Sequence, residues 1–190
     1  MPRFATRWAS RADLPALKAL MARAIDALQA DLLTPEQVAA SHAIMGLDTQ
    51  LIDDGSYLIA EREGAIAGCG GWSDRATLYG GDHSTGLRDP ARLDPARDPA
   101  RIRAMYTDPA FARQGVGRLI LARCEAAAAA RGFRTAELMA TLSGARLYAT
   151  AGYEVVEPVT AAAEGVTVPL LRMRKALVAG GVSVDPKAGR

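Results

Sequence analysis

Apolar positions along the chain change period several times, and each change marks an element. Over residues 3–9 they alternate, with Phe4, Thr6 and Trp8 on one side, the two-residue period of a half-buried strand. From about 12 to 30, Leu14, Leu17, Leu20, Met21, Ile25 and Leu28 return every three or four residues, which predicts an amphipathic helix behind a Ser10 N-cap. Thr34-Pro35-Glu36-Gln37 reads as a second helix start: a capping Thr, a Pro at the first helical position and a Gln three residues after the cap. Gly46 would lie just past that helix. Residues 57–62 and 65–72 are short apolar runs parted by Glu63-Gly64, a hairpin turn.

Farther along, the pattern predicts a strand at 102–107, a helix at 116–131 closed by Gly132 and a strand at 134–140. A short helix follows at 143–150 with Ser143 as cap and Gly152 as stop, then strands at 153–158 and 166–175. The order β, α, α, β, β, β, α, β, α, β, β describes a mixed α/β sheet. One stretch breaks the pattern. Residues 80–101 are rich in Gly, Asp, Pro and Arg, and Asp-Pro-Ala-Arg recurs at 89–92, 94–97 and 98–101. The expectation is a solvated surface excursion, with a loop over a substrate mouth as the alternative. Residues 1–178 read as one domain and 179–190, with Gly180-Gly181 and Asp185-Pro186, as a frayed tail.

Composition narrows the function classes. At 190 residues with 49% apolar positions, the chain has enough core to fold without disulfides or a structural metal. Its two cysteines lack the spacing of a zinc site, and its two histidines lie too far apart in sequence to mark a metal centre. Arginines dominate the cations, yet 23 Lys and Arg against 21 Asp and Glu leave a net charge of only +2, which argues against nucleic acid as a partner. No segment approaches the apolar length of a membrane span, and Met1-Pro2-Arg3-Phe4-Ala5-Thr6-Arg7 lacks the apolar stretch of a signal peptide, so a cytoplasmic, reducing location is expected.

Candidate chemistry concentrates where strand 102–107 runs through Asp108-Pro109-Ala110-Phe111-Ala112 into Arg113-Gln114-Gly115-Val116-Gly117-Arg118. Free amides at a helix N-terminus attract an anion, Gly115 and Gly117 let phosphate oxygens approach the backbone, and Arg113 and Arg118 add charge. A tight strand-to-helix turn is the plainer alternative. The loop carries no Gly-Lys-Ser/Thr and no third glycine followed by an acidic strand end, which sets aside ATP and NAD.

Here the chain resembles the GNAT superfamily of acyl-CoA-dependent N-acyltransferases, whose pyrophosphate loop reads Gln/Arg-x-x-Gly-x-Gly/Ala after the fourth strand. Residues 113–118 match its glycine core; Ala112 stands where the pattern has Gln or Arg, with the basic residue shifted to Arg113. Leu147-Tyr148-Ala149-Thr150-Ala151-Gly152-Tyr153-Glu154 is similar to the family's Tyr-x-x-x-Gly-Phe/Tyr segment. The resemblance implies a mostly antiparallel twisted sheet, flanked by helices, whose fourth and fifth strands splay apart. It implies acetyl-CoA as donor cosubstrate, with pantetheine pairing against the backbone of Met105, Tyr106 and Thr107 and pyrophosphate on Arg113, Gln114, Gly115, Val116, Gly117 and Arg118. It also implies Tyr148 as the acid that protonates the departing thiolate, a role suited to a phenol that stays protonated at neutral pH. Homodimers are frequent in the family, though no segment here marks an interface.

The expected reaction is acetyl transfer to a primary amine of a small or amino-acid-like molecule, the alternative being a non-catalytic acyl-CoA-binding module. Five residues are candidates for the general base: Glu61, Asp74, His83, Asp108 and Glu137, none singled out by its sequence context. The acceptor pocket is expected from the first two helices, the hairpin, the Trp72 region and the excursion. Between 82 and 101, four Asp balance four Arg, so no strongly anionic funnel for polyamines is expected.

Overall fold

The computed structural model describes residues 4–177; Arg3 and the tail expected at 179–190 lie outside the described residues. Seven strands form one sheet: β1 (Ala5–Trp8), β2 (Tyr57–Arg62), β3 (Ala65–Ser73), β4 (Ala100–Thr107), β5 (Thr135–Thr141), β6 (Glu154–Ala163) and β7 (Val166–Ala176). Their order is β1-β2-β3-β4-β5-β7-β6, and every neighbouring pair is antiparallel except β4 and β5. Among the described residues five α-helices flank it: α1 (Leu14–Gln29), α2 (Pro35–Ile44), α3 (Thr49–Asp53), α4 (Val116–Ala130) and α5 (Leu142–Thr150).

The periodicities act as expected. In α1 the face Leu17, Leu20, Met21 and Ile25 is buried against β2, β3 and β4. Thr34 caps α2 by accepting from the Gln37 amide while the Gln37 side chain returns to the Thr34 amide, with Pro35 first in the helix. On the opposite face of the sheet, α4 buries Val116, Ile120, Leu121 and Cys124. It lies close because β3 offers glycine there: a Cβ on Gly68 would stand 2.5 Å from Val116 Cγ1.

Several expectations need correction. Thr141, not Ser143, caps α5, accepting from the Gly144 amide at 3.2 Å, and the Ser143 hydroxyl lies 3.0 Å from the Thr141 hydroxyl. The helix therefore starts one residue earlier than predicted. Strand β6 continues past Pro158 to Ala163, because Glu164-Gly165, both at positive φ, makes the same hairpin turn as Glu63-Gly64. Helix α3 has no counterpart in the apolar pattern; it follows Asp48, whose carboxylate accepts from the Gln50 amide.

The excursion after β3 is not merely solvated. Arg75 holds Asp54 with two bonds, of 2.7 and 2.8 Å, and bridges to Arg92; the Thr77 amide donates to the Asp89 carbonyl; the Asp82 amide donates to the Leu47 carbonyl. These ties bring Leu78, Tyr79 and Gly80 against the sheet. No helix among the described residues is long and apolar enough to cross a membrane.

Candidate active site

Among the described residues the one parallel pair of strands is also the shortest strand pairing. Only Ala100↔Ala136 and Arg101↔Glu137 are in register; past Arg101 the two strands separate. A bulge sharpens the departure: Cys69 pairs with Tyr106 and Gly71 with Arg103, so Ala104 and Met105 together oppose Gly70, with Ala104 at φ +50°. The Tyr57 phenol donates to the freed Ala104 carbonyl at 2.8 Å. As a result Met105 packs towards α4, while Ala104 and Tyr106 turn to the α1 face. The gap so opened is lined by both strands, by Met45 and Gly46 beyond α2, by Tyr79 and Gly80 of the excursion, and by Tyr148.

At the end of β4 the chain turns through a 3₁₀ segment (Pro109–Phe111) into α4. Arg113 has φ +62° and Gly115, the N-cap, φ +88°, a conformation Gly adopts without penalty. No side chain among the described residues caps α4, so the amides of its first turn stay open at the positive end of a 15-residue helix. Arg113 and Arg118 are exposed beside it and enter no ion pair among the described residues. Val116 contributes only backbone, its side chain being buried. Gln114 is turned inward, accepting from Arg62 at 3.0 Å and donating to the Ala110 carbonyl at 3.2 Å. Gly117 faces α5: a Cβ there would stand 2.9 Å from Leu147 Cδ2 and 3.6 Å from Thr107 Oγ1, so it keeps the strand end and the two helices close. An anion cradle of this kind fits a diphosphate, and it opens beside the Thr107 end of the gap.

Tyr148 lies two turns into α5. Gly144, one turn earlier on the same face, leaves room for its ring: a Cβ there would touch Tyr148 Cε2 at 3.0 Å. Tyr153 packs edge-on at 6.0 Å between centroids. Burial pushes the Tyr148 phenol above its ordinary value, so it is a neutral donor at physiological pH. No hydrogen bond engages its hydroxyl among the described residues. Tyr106, although also in the gap, is structural, because its oxygen accepts the Gly46 amide at 3.0 Å.

Sequence reasoning missed the buried charge of this gap. Arg103, 5% exposed, bonds Asp48 at 2.5 Å and the Gly80 carbonyl at 2.6 Å, and Arg88 joins Asp48 to Asp82. Burial lowers the Arg103 pKa, opposed by Asp48. The available signal is an arginine inside the apolar run Ile102-Arg103-Ala104-Met105, since a buried cation requires a partner.

Four of the five base candidates are occupied elsewhere. Glu61 takes Arg7 at 2.7 Å, and Asp74 takes Arg92. Asp108 caps its own turn at Ala110 and takes Arg23 at 2.5 Å. Glu137, 1% exposed, sits among Arg101, Arg172 and Arg174; burial pushes its carboxyl up, but the guanidiniums win and hold it below the usual range. His83 alone enters no ion pair among the described residues. Trp72 and the β2–β3 hairpin also depart from expectation: Trp72 is buried edge-on against Phe133 at 6.1 Å, away from the gap. Among the described residues no three His, Cys, Asp or Glu gather as a metal group.

Residues 53–155 match the profile of the acetyltransferase (GNAT) domain. Solved structures resemble most of the chain. A GCN5-related N-acetyltransferase from Rhodopseudomonas palustris has 22% identity and a TM-score of 0.69, covering 93% of this chain and 98% of its own. A ribosomal-protein-alanine N-acetyltransferase from Brucella melitensis has 21% identity and a TM-score of 0.60, over 91% and 99%. The putative acetyltransferase yncA from Salmonella typhimurium, solved with acetyl-CoA, has 20% identity and a TM-score of 0.60, over 94% and 96%. At these identities the likeness is one of fold. No curated protein matches in sequence.

Proposed function

The chain belongs to the GNAT acetyltransferase family, and from that premise we propose that it transfers the acetyl group of acetyl-CoA to a primary amine of a small, amino-acid-like molecule. The observation that carries this reading is the gap itself: two strands that part after two rungs, an uncapped helix N-terminus at one end and an unengaged phenol on its wall.

The chemistry follows from those parts. The first-turn amides of α4, with Arg113 and Arg118, hold the donor's diphosphate, and the backbone at Met105, Tyr106 and Thr107 receives the pantetheine arm and orients the thioester. Strand amides facing the gap stabilise the oxyanion that forms when the amine attacks. Collapse expels the thiolate, to which Tyr148 gives its proton. Burial makes the resulting phenolate costly, so Tyr148 recovers a proton at once, and the nitrogen that has just become an amide supplies it. The balanced excursion, with Asp82 and Arg88 paired, supports a small acceptor over a polycation.

Acetyl-CoA at a hundredfold excess over Kd adds about 2.7 kcal/mol to stability, a Tm rise of roughly 5–10 °C for a chain of this size. Coenzyme A should act alike and NAD or ATP should not. A rise with NAD or ATP alone would overturn the assignment.

A further inference from the structure

A second cleft of about 360 Å³ adjoins the gap, walled by α1, the end of α2 and the excursion. Met21, Ile25 and Leu47 make its floor apolar, and Lys18 stands at its rim. Met45 and Gly46 line both cavities and form the partition between them. His83 is laid on that partition: a Cβ on Gly46 would stand 2.9 Å from its Cε1 and 3.5 Å from its Nδ1.

The ring's orientation has a chemical consequence. Nε2 lies 2.7 Å from the Ala43 carbonyl, which only accepts, so Nε2 carries a proton in either charge state. The neutral ring therefore keeps its lone pair on Nδ1, beside Gly46. The surrounding titratable groups are otherwise committed. Asp82 accepts from Thr49 and Arg88, His42 of α2 bonds Asp26 at 2.7 Å, and the Tyr106 oxygen of β4 accepts the Gly46 amide. Lys18 of α1, by contrast, is exposed at the rim and enters no ion pair among the described residues.

We infer that this outer cleft is the acceptor site, for an ammonium with an apolar substituent, and that His83 is a catalytic residue in it, taking the first proton at Nδ1 as the nitrogen passes Gly46 into the gap. The inference rests on the donor reading above. The acceptor nitrogen loses two protons in all. The first goes to Nδ1 and then to solvent through the open cleft, leaving a neutral amine whose lone pair forms the C–N bond. The second, lost as the amide forms, replaces the proton that Tyr148 gives to the sulfur when the C–S bond breaks. The products are amide, coenzyme A as free thiol, and one solvent proton.

The test is free-thiol release with isopentylamine, L-leucine and spermidine at saturating acetyl-CoA, for wild type and His83→Gln, from pH 6 to pH 10, with Tm in acetyl-CoA recorded for both. For wild type with isopentylamine, kcat/KM should rise and then flatten once a single group has lost its proton. For His83→Gln it should keep climbing, about tenfold per pH unit, because only amine already neutral in solution can react. The variant's deficit should be roughly 1,000-fold at pH 7 and should close near pH 10. A variant profile parallel to wild type would overturn the role of His83. Spermidine preferred over both apolar amines, or no turnover of any amine while acetyl-CoA still raises Tm, would overturn the cleft assignment and leave the donor reading standing. No Tm rise in wild type would bring both down.

Discussion

The two halves of the site are built on different physics. The proposed donor half is backbone: strands that part, a bulge, a helix end and glycines that permit close approach. The proposed acceptor half is side chains: α1's apolar face, the His83 ring, and the buried Arg103–Asp48 pair with Arg88 and Asp82 that ties the excursion to the α2–α3 connection. A backbone cradle tolerates exchange of most side chains around it, whereas an ion-paired wall depends on each member. Donor binding should therefore survive changes that destroy acceptor recognition, and the reverse should hold only for changes at the loop.

The sharpest separation is expected from Tyr148→Phe. Removing the hydroxyl leaves the ring packed on Tyr153, so turnover should fall roughly 10² to 10⁴-fold with the acetyl-CoA Kd unchanged; an unaffected kcat would make this tyrosine purely structural. Next is Asp48→Ala, which strands the buried Arg103. Loss of one partner of such a pair costs about 3–5 kcal/mol, measurable in urea, and the acceptor KM should rise far more than that of acetyl-CoA. A variant as stable as wild type would show that the pair does not hold the wall together.

Smaller effects follow from exposed charge. Replacing Arg113 and Arg118 together by Gln should weaken acetyl-CoA binding about tenfold, less at high salt, with kcat nearly unchanged. Equal loss at 0.05 and 0.5 M salt would mean the guanidiniums do not meet the diphosphate. Gly117 is a poorer probe, since any side chain there presses on Leu147. Acid should erode the fold before it touches the donor loop. Arg7 and Arg75 hold the carboxyls of Asp13 and Asp54 below their ordinary range, so the unfolded chain binds more protons there. That stability is present above about pH 4 and is lost as pH falls further; a Tm flat from pH 5 to pH 2 would contradict it.

The same contrast explains what the sequence disclosed. Local rules wrote the element ends and the proposed donor half: Thr34-Pro35-Gln37 announced the start of α2, and Arg113 through Arg118 announced a phosphate-sized turn, because caps and glycine turns act within a few residues. The proposed acceptor half depends on contacts 40 or more residues apart, such as Arg103 with Asp48 and His83 with Ala43, which no local period encodes. Repetition of Asp-Pro-Ala-Arg pointed to solvent, and those residues are largely exposed, but Arg92 pairs with Asp74 and Arg101 with Glu137, so the repeat also helps to lace the excursion down. Even Glu137, the strand carboxylate that invited a catalytic reading, is explained by three arginines distant in sequence.

Amide hydrogen exchange with and without acetyl-CoA tests the central claim most directly, that the donor lies between β4 and β5 against the open end of α4. Peptides spanning 104–107 and 115–118 should become protected on binding, while those spanning 85–98 of the excursion should exchange as before. Protection of the excursion with no change at 104–107 or 115–118, under conditions where acetyl-CoA raises Tm, would contradict it.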